Sequence, residues 1–124
     1  RQAGRPDEAV TDLTAALTLN PEYAWAFAER GEAHRQTGRL EEAVADFDRA
    51  LALSPDHAWA LGSRGQAHRQ AGRPDEAITD LTAALTLNPE YAWAFAERGE
   101  AHRQTGRLEE AVADFTAALT LDPA

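Results

Sequence analysis

Between residues 40 and 53 the apolar residues Ala43, Val44, Phe47, Ala50 and Leu51 recur three and four places apart. That spacing draws one apolar stripe along an α-helix. The run opens on Leu40-Glu41-Glu42, which sets acids in the positive first turn. Upstream, residues 24–37 carry a second helical pattern, with Phe27, Gly31 and His34 inward and Ala26, Ala33 and Thr37 beside them. Gly38 stands between the two runs, where a left-handed residue ends a helix without steric cost. The pattern therefore predicts a helical hairpin, 24–37 and 40–53. No strand-period run of useful length occurs anywhere in the chain.

The hairpin repeats. Ala-Trp-Ala recurs at Trp25, Trp59 and Trp93, and Arg-Gly at Gly31, Gly65 and Gly99. Gly-Arg followed by Leu or Pro recurs at Gly4, Gly38, Gly72 and Gly106, and a proline closes each unit at Pro21, Pro55, Pro89 and Pro123. Residues 1–56 reappear at 69–124 with six differences. A period of 34 residues marks an array whose units stack, since one unit cannot bury its own apolar face. The array divides into a partial unit at 1–23, holding a second helix only, and full units at 24–57, 58–91 and 92–124. Seven helices are predicted. Pro6 and Pro74 fall at first helical positions, where a missing N–H is harmless. Asn20, Ser54, Asn88 and Asp122 each precede a proline and are expected to cap the following helix.

Composition narrows the chemistry. The 124 residues contain no cysteine, so disulfides, thiolate metal sites and cysteine nucleophiles are excluded. A net charge of −9 argues against nucleic acid, which needs clustered cations. No apolar run is long enough to span a membrane, and no secretory leader is visible, so the chain is expected in the cytoplasm. The absence of a starting methionine and of polar capping helices suggests a fragment. Phosphate loops, nucleophile–base pairs and His-Glu-x-x-His are all missing, so no enzyme and no cofactor is expected. Paired acids such as Glu41–Glu42 and Asp75–Glu76 recur at helix starts, as dipole compensation requires.

A 34-residue helix–turn–helix with Gly31 in its first helix, Ala43, Phe47 and Ala50 in its second, and Pro55 after it resembles the tetratricopeptide repeat. The resemblance covers the whole chain in register. It implies an all-α solenoid of antiparallel helix-turn-helix repeats, wound as a right-handed superhelix with the first helices lining the concave surface. The sequence departs from the family pattern at three places in each unit. The tryptophans lie two residues before the usual aromatic, whose place Phe27, Leu61 and Phe95 take. Arg30, Arg64 and Arg98 replace the usual leucine, and His34, His68 and His102 the usual tyrosine. These departures resemble a bacterial form of the repeat.

Arg30, Arg64 and Arg98 face inward, and each second helix carries an aspartate before its inward Leu or Phe. In an antiparallel hairpin Arg30 lies level with Asp46, Arg64 with Asp80 and Arg98 with Asp114. Three structural ion pairs are expected, because a buried guanidinium needs a partner. Asp12 lacks its arginine. The histidines recur one unit apart, and packed helices stand ~8–10 Å apart, too far for shared metal ligation. With no carboxylate expected nearby, no metal is assigned. His57 reads as a solvated turn residue.

The face opposite Phe27 and His34 is the candidate peptide-binding groove. It carries Trp25, Ala28, Glu29, Glu32 and Arg35, then Trp59, Gly62, Gln66 and Arg69, then Trp93, Ala96, Glu97, Glu100 and Arg103. Trp and Arg often anchor interfaces. Equally, each Trp can glue one unit to the next. Trp59 is the expected anchor, with Gly62 deepening a pocket beside it and glutamates forming acidic walls. Some members of the family grip C-terminal carboxylates with Lys and Asn at these positions; here neither residue occurs there.

Two functions follow. The first is a protein-interaction scaffold that binds a peptide or partner segment bearing a bulky apolar residue and flanking Lys or Arg. The alternative is a structural module that self-assembles through its uncapped ends as stacks or dimers. An engineered or excised array is a third account of the near-identity between units.

Overall fold

The computed structural model describes residues 5–123. Residues 1–4 and 124, including Gly4, lie outside the described residues. Among those described there are seven helices and no strand: α1 (Pro6–Leu19), α2 (Ala24–Gln36), α3 (Leu40–Leu53), α4 (Ala58–Gln70), α5 (Pro74–Leu87), α6 (Ala92–Gln104) and α7 (Leu108–Leu121). None is long and apolar enough to cross a membrane.

The first helices end as their glycines dictate. Gly38, Gly72 and Gly106 have φ of 80°, 83° and 78°. The Arg39 N–H reaches the His34 carbonyl at 2.9 Å and the Gly38 N–H the Arg35 carbonyl at 3.0 Å. This pair of bonds satisfies two carbonyls that a helix end otherwise leaves open. The chain then reverses into the second helix.

Close packing within each hairpin rests on a missing side chain. A Cβ on Gly31 would lie 2.9 Å from the Phe47 ring, and one on Gly99 would lie 2.8 Å from Phe115. Fully buried alanines, among them Ala26, Ala33, Ala43 and Ala50, fill the rest of the contact. Small residues on both helices bring the axes together, and Phe47 and Leu81 fill the space that remains.

Helices pack as hairpins α2–α3, α4–α5 and α6–α7, and each second helix also packs on the following first helix. The first helices touch one another directly, α2 to α4 and α4 to α6, whereas no two second helices touch. First helices are thus the more crowded layer and form the inner wall of the array.

The proline turns differ from expectation. Asn20, Ser54, Asn88 and Asp122 end α1, α3, α5 and α7; they do not cap the next helix. The Asn20 side chain accepts from the Glu22 N–H at 3.3 Å, as Asn88 does from Glu90. Pro21 lies within this turn, three residues ahead of the helix at Ala24. The side-chain oxygen serves its own turn, a competing use of the same residue type. Pro6 and Pro74 stand at the start of α1 and α5.

Candidate binding face

Each hairpin holds a buried aspartate forked by an arginine. Arg30 donates from Nε and Nη2 to Asp46 at 2.8 Å, Arg64 to Asp80 at 2.9 Å, and Arg98 to Asp114 at 2.8 Å. The hydrogen bonds that Arg30 donates to Asp46 push its guanidinium above its usual range, although burial pulls the other way. Arg64 is raised for the same reason, with Asp48 adding to Asp80. The arginine stem also crosses an aromatic ring: the Arg30 guanidinium lies 5.6 Å from the Phe27 centroid.

The histidines require a correction. A carboxylate does lie near each one. His34 Nε2 is 3.6 Å from Asp46, His68 is 3.8 Å from Asp80, and His102 is 3.6 Å from Asp114. The signal was in the sequence: His34 follows Arg30 by one helical turn and so faces the same aspartate. That aspartate is already forked by arginine, and the described residues contain no cluster of three metal-ligating groups. His57 is half-buried and caps α4, with Nδ1 accepting from the Ala60 N–H at 3.4 Å.

The tryptophans occupy three different environments. A Cβ on Gly62 would lie 2.5 Å from the Trp93 ring. Gly62 therefore opens no pocket beside Trp59; it makes room for the tryptophan of the next unit. Trp59 packs on the cluster containing the fully buried Ala28. Ala28 and Gly62 are accordingly buried seats between units, and only Ala96, with no ring over it, stays half-exposed. Trp25 has no earlier seat among the described residues and is 48% exposed. Each tryptophan also leans on an aromatic two residues earlier, which sequence reasoning overlooked. Ring centroids are 5.6 Å apart for Tyr23–Trp25, 6.1 Å for His57–Trp59 and 5.4 Å for Tyr91–Trp93. The i, i+2 spacing across the helix start is the signal. Burial pushes the Tyr91 hydroxyl up.

Glu32, Glu97 and Glu100 of this face have arginine partners. Arg35 forks Glu32, with Nε at 2.9 Å, and reaches Gln70 in the next unit at 3.3 Å. Arg69 and Gln66 both donate to Glu97, at 3.2 and 3.4 Å, across the same kind of junction. Arg103 forks Glu100 at 3.0 and 3.1 Å, which holds the Glu100 carboxyl below its usual range. The acidic walls are in fact a lattice of ion pairs along α2, α4 and α6.

Two family models, each described as tetratricopeptide repeat, match residues 63–124 and 22–90. The chain belongs to the tetratricopeptide repeat family. Among solved structures, the crystal structure of MamA is 27% identical with a TM-score of 0.88, covering 97% of this chain and 70% of MamA. The first tetratricopeptide domain of Spaghetti (RPAP3), bound to the HSP90 peptide SRMEEVD, is 27% identical with a TM-score of 0.79. It covers 81% of this chain and 79% of that one. The second such domain, bound to the same peptide, is 32% identical with a TM-score of 0.77, over 80% and 92%. No curated protein matches the chain.

Proposed function

We propose that this chain is a protein-interaction scaffold that holds a partner segment along its first-helix wall. Binding is by many weak contacts over an extended surface, with no bond made or broken. The observation that carries this reading is the crowding of α2, α4 and α6 into one continuous layer, with an exposed aromatic pair, Tyr23 and Trp25, at its edge. The Spaghetti domains, bound to a peptide, lend the same reading support.

The residue chemistry favours a different ligand from the SRMEEVD peptide of those domains. This wall presents Glu29, Glu32, Glu97 and Glu100, has no lysine, and commits Arg35, Arg69 and Arg103 to its own glutamates. A segment with a bulky apolar residue for Trp25 and flanking Lys or Arg exchanges onto these carboxylates. Trp25 is the anchor in this reading, because Trp59 and Trp93 are engaged in stacking. Titration with arginine-flanked leucine or tryptophan peptides tests it, with SRMEEVD as the control. Basic peptides are expected to bind, more weakly as salt rises. Trp25→Ala is expected to weaken them by at least about tenfold if it is a hot spot, with unchanged thermal stability. Equal or tighter binding of SRMEEVD overturns the reading.

A further inference from the structure

The turns between hairpins lie along one edge of the array, because antiparallel helices bring each second-helix end and the following first-helix start to the same side. Two of these turns, α3 to α4 and α5 to α6, have a complete hairpin on either side. What they expose is therefore exposed within the stack itself. Leu53 and Leu87 close their second helices there and are 42% and 46% exposed. Pro55 and Pro89 follow, then Asp56 and Glu90, all exposed. The tilted ring pairs His57–Trp59 and Tyr91–Trp93 finish each turn half-buried. Each unit thus adds a leucine, a proline, an acid and a ring pair to the same edge.

The edge is negative. Residues 53–59 and 87–93 contain no lysine or arginine. The last turns of α3 and α5 carry no basic residue and the first turns of α4 and α6 no acid, so the opposed helix dipoles offset one another. Asp56 and Glu90 then set the sign. The Asp56 carboxylate accepts one hydrogen bond, from Ser54 at 3.3 Å, and Glu90 has no cation partner among the described residues. On the first-helix wall Glu32, Glu97 and Glu100 already hold arginines, so an incoming cation meets less competition at the edge. The spacing is informative too. Helices α2, α4 and α6 touch in succession, and touching helices stand ~8–10 Å apart. A polyproline II helix turns once every three residues, about 9 Å, so each turn of it advances by one unit of the array.

We propose that this edge is a second docking surface, separate from the first-helix wall, for a proline-rich partner segment in the polyproline II conformation with an arginine at every third residue. The arginines meet Asp56 and Glu90 in successive units, and the prolines between them lie on Leu53, Leu87 and the ring pairs. Such a segment is already extended before it binds, so it loses little entropy on docking. An α-helix fits less well, because its apolar stripe needs a groove and this edge is a row of projecting leucines and rings. A second copy of this chain offers no such segment, having no two prolines in succession.

The test titrates the chain with a peptide of repeated Pro-Pro-Arg. The control peptide has the same composition with its arginines gathered at one end. The periodic peptide is expected to bind saturably and at least about tenfold more tightly than the control, with NMR shifts in the amides of 53–59 and 87–93. The double variant Asp56→Lys, Glu90→Lys is expected to weaken it by at least about tenfold, as is Leu53→Ser, Leu87→Ser. All four side chains are exposed, and helical circular dichroism checks that both variants keep the fold. No binding at millimolar peptide, equal affinity for the control, or affinity unchanged in the lysine variant overturns the proposal. So do shifts confined to the first-helix wall, tighter binding of a helical peptide with an arginine every seventh residue, or a dimer in sedimentation that the lysine variant dissociates.

Discussion

Helices α2 and α6 share one sequence, Ala-Trp-Ala-Phe-Ala-Glu-Arg-Gly-Glu-Ala-His-Arg-Gln, yet they do not share an environment. In α2 Ala28 and Phe27 are buried while Trp25 is exposed. In α6 the order reverses: Trp93 is seated on Gly62, and Ala96 and Phe95 are half-open. Nothing local distinguishes the two. A preceding first helix seats the tryptophan, and a following unit covers the alanine. In a stacked array the neighbours, and not the sequence of the unit, decide which residues are core and which are surface. The same 13 residues thus supply an exposed aromatic edge at one place and an inter-repeat bolt at another.

The largest expected break in that comparison is electrostatic. Asp80→Ala strands Arg64 inside a hairpin and is expected to cost about 3–5 kcal/mol, less where water reaches the guanidinium. Asp12→Ala, at the exposed copy of the same position, is expected to cost below about 0.5 kcal/mol. Urea midpoints measure both. Next come the tryptophans. Trp93→Ala is expected to lose about 2–3 kcal/mol, short of a fully buried aromatic, and Trp25→Ala under about 1 kcal/mol in the absence of ligand. Smaller still is the seat itself. Gly62→Leu crowds the Trp93 ring and is expected to cost about 1–3 kcal/mol with a red shift in tryptophan emission. Ala96→Leu, with no ring above it, is expected to show neither effect.

The smallest effect is acidic. Arg103 lowers the Glu100 carboxyl in the folded chain. Its stabilisation is therefore present above the ordinary carboxylate value and lost as pH falls through the lowered one. The pair is exposed, so Glu100→Gln is expected to remove only a few tenths of a kcal/mol. The difference between the variant and wild-type melting temperatures should close as the solution is acidified.

The hairpins were legible in the sequence because their signals are local. Gly38 ends a helix wherever it stands, and the stripe from Ala43 to Leu51 needs no neighbour to be read. The first helices were fainter as amphipaths, since α2 carries Arg30 and His34 among its inward residues, and the repeat reinforced the reading. The proline turns were misread because Asn20 can serve either the helix behind it or the helix ahead, and only the observed turn chooses. The groove was the least legible part. Ala28 and Gly62 look like open small residues on one helix, and the ring that fills the Gly62 seat comes from 31 residues further along. The carboxylate beside His34 was missed for a related reason, since Asp46 belongs to the other helix of its hairpin.

In the proposed scaffold Trp25 stands at the ligand-facing edge, while Trp59 and Trp93 pack between units. Acrylamide quenching of the Trp59→Phe, Trp93→Phe double variant, which reports Trp25 alone, measures this directly when run with and without the arginine-flanked leucine peptide. Strong quenching without peptide and clear protection once it is bound are expected. Trp25 as shielded without peptide as a buried tryptophan, or bound peptide that leaves its quenching unchanged, would contradict it.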